Sequence, residues 1–198
     1  LSFATVYPGG AVIDSSNVNV TVNQSLRAPP GYGVAGIALN AVGTGYIGAP
    51  AVQIVGGSGT NATAVAEVDL VEGSSTKGQV TGIKVTSPGT GYLAGDALTV
   101  TLSGGGFLTT AVTGSVTKAV NVSGGLTKLG TGTLTLGGTN TYAGATIISN
   151  GTVKLANVKA LLTGTTVVLA GGSLDLNGLT VTNTLSGGNG TVNNGTMQ

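Results

Sequence analysis

The chain has 198 residues; 37 are Gly, 7% are charged, and seven basic residues against six acidic ones leave a net charge of +1. That balance gives no electrostatic reason to expect nucleic acid or an acidic membrane surface as a partner. With no Cys and no His, disulfides, cysteine-based zinc sites and the commonest general base are excluded, and no apolar run reaches the roughly 18 residues of a transmembrane helix. Hydrophobic residues make up 40% and recur with a regular period, unlike the composition of disordered chains, so the chain is expected to fold.

The first segment, "VYPGGAVIDSSNVNVTVNQSL" (Val6 to Leu26), alternates β-branched and polar residues with period two and breaks at Gly-Gly and Ser-Ser, which reads as short strands and tight turns. It parallels "VLAGGSLDLNGLTVTNTLS" (Val168 to Ser186), with Asp14 against Asp175 and Val20 against Val181. "APPG" (Ala28 to Gly31) reads as a hinge, because Pro29 and Pro30 cannot donate ladder hydrogen bonds.

A different duplication follows. "VAGIALNAVGTGYIGAPAVQI" (Val34 to Ile54) matches "VTGIKVTSPGTGYLAGDALTV" (Val80 to Val100), and each copy leads through a Gly cluster into an Ala/Thr/Val strand, Ala62 to Val68 and Thr109 to Val116. From residue 130 onward a third phrase returns: "GTLTL" (Gly132 to Leu136), "GTVKL" (Gly151 to Leu155), "GSLDL" (Gly172 to Leu176) and "GTVNN" (Gly190 to Asn194). A spacing of about 20 residues suits one coil of a β-solenoid. Leu134/Leu136, Val153/Leu155 and Leu174/Leu176 then stack inward, while Thr133/Thr135, Thr152/Lys154 and Ser173/Asp175 face out. The expected organisation is β-helix rungs over 1–30, an inserted duplicated β module over 31–117, and further rungs over 118–198. The matching rungs near both ends imply that the chain starts and stops part-way through a solenoid. Its start at Leu1, with no Met and no basic leader, reads as a processed product or an excised fragment.

The stretch "GGLTKLGTGTLTLGGTNTYAGATIISNGTVKLAN" (Gly124 to Asn157) resembles the autotransporter-associated β-strand repeat of bacterial surface proteins. The likeness lies in the Leu-Thr-Lys start, the Gly-Thr-Leu-Thr-Leu strand, the Asn-Thr-Tyr-x-Gly turn and the closing Gly-Thr-Val strand. With the flanking rungs it covers a little over half of the chain. It implies an all-β, right-handed parallel β-helix displayed at the bacterial cell surface or outside the cell. The Gly-Thr-Gly-Tyr duplication resembles repeats of large bacterial surface and phage-fibre-like proteins.

Candidate chemistry is sparse. Glu67 and Asp69 alternate on one face of "AVAEVDLV" (Ala64 to Val71), at a spacing that overlaps the carboxylate pair of an inverting glycosidase. Two neighbours on one strand lie side by side, however, and do not flank a substrate, so an exposed polar face is the plainer reading. Asp14 and Asp175 read as turn or outer-face residues. The Gly-rich stretches lack the Lys-Ser/Thr of a phosphate loop. An ice-binding array needs Thr-x-Thr on consecutive coils, and Lys154 and Asp175 break it. Tyr46 and Tyr92, at matching turns, are the candidate ligand contacts, as a carbohydrate-stacking pair or as rings packed over their own Gly turns. No catalytic residue, metal or cofactor is expected, and the chain is read as a non-enzyme.

Three readings of function remain. One is a structural segment whose uncapped coils continue in a longer chain or stack head to tail into a fibre. Another is an adhesin or glycan-binding module using the insertion, and a third is a β-helix that cleaves glycans. Self-association or chain continuation is the expected partnership, glycan the second, with no nucleic acid and no membrane insertion.

Overall fold

The computed structural model describes residues 2–198, and every regular element in it is a strand. In chain order these are β1 (Phe3–Thr5), β2 (Ala11–Asp14), β3 (Val20–Val22) and β4 (Ser25–Arg27). Then come β5 (Tyr32–Ala41), β6 (Ala51–Gly56), β7 (Thr60–Val68), β8 (Val80–Thr90), β9 (Leu98–Ser103) and β10 (Val112–Val120). The third group is β11 (Leu126–Leu129), β12 (Thr133–Leu136), β13 (Thr146–Ile148), β14 (Thr152–Leu155), β15 (Thr166–Leu169), β16 (Ser173–Asp175), β17 (Thr180–Val181), β18 (Thr184–Ser186), β19 (Thr191–Asn193) and β20 (Thr196–Met197). They divide into two compact units, Leu1–Pro29 with Val122–Gln198, and Pro30–Asn121.

The first unit is a parallel β-solenoid. One five-stranded sheet runs β18-β15-β13-β11-β2 and a second runs β19-β16-β14-β12-β3. Neighbours in each sheet come from successive coils, so the hydrogen bonds run along the stack. Strand alternation sends one face inward, and the register aligns that face from coil to coil: Val20, Leu134, Val153, Leu174 and Val192 form one ladder. Leu134, Leu136, Val153, Leu155, Leu174 and Leu176 are fully buried. The outer ladder reads Thr21, Thr135, Lys154, Asp175 and Asn193. The third side is less regular, with β1 pairing β4 at one end and β17 pairing β20 at the other.

The long match between Val6–Leu26 and Val168–Ser186 is corrected by the register. Asp14 lies in the first sheet, opposite Leu129, whereas Asp175 lies in the second, opposite Lys154. Val20 belongs to the second sheet and Val181 to the third side. The two segments do share a corner: each Asp side chain accepts the amide two residues on, at 2.7 Å and 2.9 Å. Each is followed by a residue with positive φ, Ser16 and Asn177. Strand-Asp-turn is a local device that any corner can use, so it matched across different sides of the coil.

The second unit is antiparallel throughout. β5 pairs β10, β6 pairs β9 and β7 pairs β8. β5, β6 and β7 come from the first copy of the duplication and β8, β9 and β10 from the second. Each pairing therefore joins one copy to the other, and neither copy has a sheet of its own. β10 runs past Thr117 to Val120. The Asn121 amide side chain closes the unit by donating to the carbonyls of Pro30 and Gly89, at 3.0 Å and 3.2 Å.

Candidate functional site

Among the described residues there is no enclosed cavity and no group of three or more carboxylates that could hold a metal ion. The polar side chains with the most demanding surroundings are instead buried in the solenoid. Lys128 points inward between Ile13 and Ile148 of the adjoining coils and is fully buried. Its ammonium donates to the carbonyls of Leu129 (2.6 Å), Gly130 (2.7 Å) and Asn150 (3.3 Å), which uses all three of its protons. Burial pushes its pKa below the ordinary value, and the nearby Asp14 charge opposes that shift. Lys128 thus ties the corner after β11 to the next coil.

Asn140 does the same on the third side. It is 2% exposed, and its carbonyl oxygen accepts the Leu26 amide at 2.7 Å while its NH2 donates to the Ala160 carbonyl at 2.8 Å. One side chain so links three coils. Asn183 makes a simpler link further along, only donating, to the carbonyls of Leu162 and Thr165. Tyr142 is fully buried, bonds Thr146 at 2.7 Å, and has its phenol pushed up to about 12 by burial. The period-two pattern of "LTKL" already places Lys128 on the same face as Leu126; only the chemistry of an inward charge hides it. Asn140 and Asn183 carry no periodic signal, because they sit on the irregular side.

In the second unit Tyr46 and Tyr92 are 3% and 4% exposed. Each ring covers a glycine of the other copy: a Cβ at Gly105 would enter the Tyr46 ring, and one at Gly59 the Tyr92 ring. The Tyr46 hydroxyl accepts the Ala111 amide at 2.9 Å. Both rings are therefore core residues, with no free face for a sugar in this conformation. Glu67 is exposed near the end of β7. Asp69 lies past the strand and organises the loop to β8, accepting from the Val71 amide and from the hydroxyls of Ser74 and Thr76. Those hydroxyls, Ser74 first, hold its pKa below the ordinary value. With Asp69 committed to the turn, the two carboxylates are not a matched pair on one strand face. Asp175 is likewise lowered, first by the Asn177 amide and then by Asn194.

A family model, the passenger-associated-transport-repeat, matches residues 126–155. The match starts at β11 and ends at β14, so it takes in one full coil and two sides of the next, and contains both Lys128 and Asn140. No curated protein and no solved structure matches the chain. A repeat of this kind in a β-solenoid fits an autotransporter passenger segment, and it implies a secreted or cell-surface protein. It also agrees with a non-catalytic role.

Proposed function

We propose that the chain is a structural segment of an extracellular bacterial β-solenoid that extends by adding coils at its open edges. The observation that carries this is the pair of in-register five-stranded ladders. Among the described residues β2 and β3 at one end, and β18 and β19 at the other, are each paired on one side only. An unpaired strand edge is a template for another strand. The occupant is the next coil of a longer polypeptide or the facing edge of a second copy. Low charge, sealed interior amides and the absence of Cys and His suit a surface that must survive proteases and changing pH.

Electron microscopy over a concentration series tests the stacking. Filaments of uniform width are expected to lengthen with concentration. Leu185→Pro serves as the blocking variant. Thr184 turns its amide toward β15, donating to Thr165, so alternation turns the Leu185 amide outward. Proline there removes an outward donor without touching the ladder. Filaments that form equally well with Leu185→Pro, or short rods at every concentration, would reject self-stacking and leave continuation within one chain.

A further inference from the structure

The three sides of the solenoid are not equally deep. Among the described residues the first and second sides are each a five-stranded sheet. The third side has one level more: β1, β4, the segments around Thr141 and Ala160, β17 and β20. Backbone bonds join its middle levels in turn, from Thr141 to Leu26 at 2.9 Å, Asn140 to Lys159 at 3.0 Å and Gly164 to Thr182 at 2.8 Å. β1 is the extra level. It precedes β2 in the chain, so it lies one level before the first complete coil, and it covers β4, with Phe3, Ala4 and Thr5 opposite Ser25, Leu26 and Arg27.

Head-to-tail stacking sets the last coil of one copy against the first coil of the next. On two sides the inward residues already share a ladder: Leu185 stands in that of Ala11, and Val192 in that of Val20. On the third side, β20 of one copy and β1 of the next need the same place beside β4. Met197 matches Ala4 in what that place requires. The amides of Thr196 and Gln198 donate to Leu179 and Val181, at 3.2 Å and 2.9 Å, so alternation turns the Met197 N–H and C=O to the open edge. Ala4 turns its own towards β4, as Val6 two residues on does in donating to Arg27 at 2.8 Å. The Met197 side chain packs on the solenoid core, and Ala4 stands opposite the buried Leu26. β1 itself is lightly held: it pairs over three residues, none of them buried, and the Arg27 guanidinium lies over the Phe3 ring at 4.8 Å.

We propose that β1 is a displaceable plug, and that β20 of a second copy takes its place beside β4 with Met197 opposite Leu26. The occupant must bring a parallel strand with an inward apolar residue whose backbone groups are free, on the third side of a coil whose other two sides fit β2 and β3. β20, flanked by β18 and β19, meets all of these conditions at once. The exchange puts the long Met197 side chain over Leu26 where Ala4 offers a methyl group, and added apolar burial favours the incoming strand. Release of β1 comes first, so growth waits on it. This exchange rests on the self-stacking proposed above: within one longer polypeptide β1 is the last side of the preceding coil, and nothing is displaced.

The chain contains no Cys, so introduced pairs report without competition. Phe3→Cys with Ser25→Cys joins two register partners, at a strand spacing of about 4.8 Å that a disulfide spans. Oxidised, this locked chain is expected to lose filament growth, and reduction to restore it. A chain starting at Val6, its fold checked by circular dichroism, is expected to assemble without the lag of the parent. Ser25→Cys with Thr196→Cys places the two thiols at opposite ends of the third side within one chain, so their disulfide is expected to form between copies. Filaments that lengthen equally well from the oxidised lock, or filaments without the Ser25-to-Thr196 cross-link, would overturn the exchange and leave stacking standing. Short rods from every chain, the one starting at Val6 included, would reject stacking itself and the exchange with it.

Discussion

Replacing Asn140 by Ala removes two hydrogen bonds at once and leaves their partners inside the protein. The Leu26 carbonyl is taken by the amides of Thr141 and Tyr142, at 2.9 Å and 3.3 Å, while the Leu26 amide reaches only the Asn140 side chain, at 2.7 Å. The Ala160 carbonyl receives the other half of the same side chain, at 2.8 Å. Orphaning a buried donor or acceptor costs about 1–3 kcal/mol, so the pair amounts to roughly 2–5 kcal/mol, offset by whatever water reaches the site. Asn140→Asp keeps the acceptor and loses the donor, and should fall at about half that cost or more. Urea unfolding followed by circular dichroism gives the stability change, and hydrogen exchange at the Leu26 amide reports the bond itself. Strong protection of that amide is expected in the parent chain and its loss in Asn140→Ala. A change under about 0.5 kcal/mol with the Leu26 amide still protected would refute the idea that Asn140 joins the coils.

Tyr142 supplies a pH test: its phenol is raised to about 12 from 10.0, so folding is favoured fully below pH 10 and loses stability as pH rises from 10 towards 12. The linked loss is about 2–3 kcal/mol, and a Tyr142→Phe chain should not show it in alkaline melting curves. Lys128 has the opposite sign, because its folded pKa lies below 10.5; the unfolded chain keeps the proton longer, and stability should rise with pH just under 10.5 in the parent but not in Lys128→Met. At neutral pH Lys128→Met should fall within about 2 kcal/mol of the parent, since an apolar replacement removes a desolvated charge, whereas Lys128→Glu should cost more than about 3 kcal/mol by urea titration. A protease site placed at Gly73, in the loop between β7 and β8 where Gly73 has open space around it, should cut the chain without releasing either part on size exclusion, because β5–β10, β6–β9 and β7–β8 all cross between the copies. Tyr46→Ala should destabilise the module by about 3–5 kcal/mol, as expected for emptying a buried aromatic site, and this can be read from the loss of protection at the Ala111 amide.

The ladders were legible because alternation and coil length both leave a periodic trace. "GTLTL", "GTVKL" and "GSLDL" state which residue points inward before any contact is known, and Leu134, Val153 and Leu174 do stack in that order. The comparison of Asp14 with Asp175 misled for a related reason: corner chemistry repeats at every corner, so a short likeness does not say which side of the coil it serves. Tyr46 and Tyr92 show the limit for sites, since a tyrosine at a glycine turn has the same local sequence whether the ring packs inward or faces solvent.

From the sequence alone came an all-β chain of stacked parallel coils, a duplicated insertion, and the identity of the inward residues, because strand alternation and repeat length are local properties. Tertiary structure alone decided that the two copies of the insertion exchange all their strand partners, that Lys128 and Asn140 bind carbonyls and amides from neighbouring coils, and that β1 adds a level to the third side of the solenoid. Those facts concern residues far apart in the chain, brought together by closure of the backbone, and no periodicity records which distant edge a strand will meet.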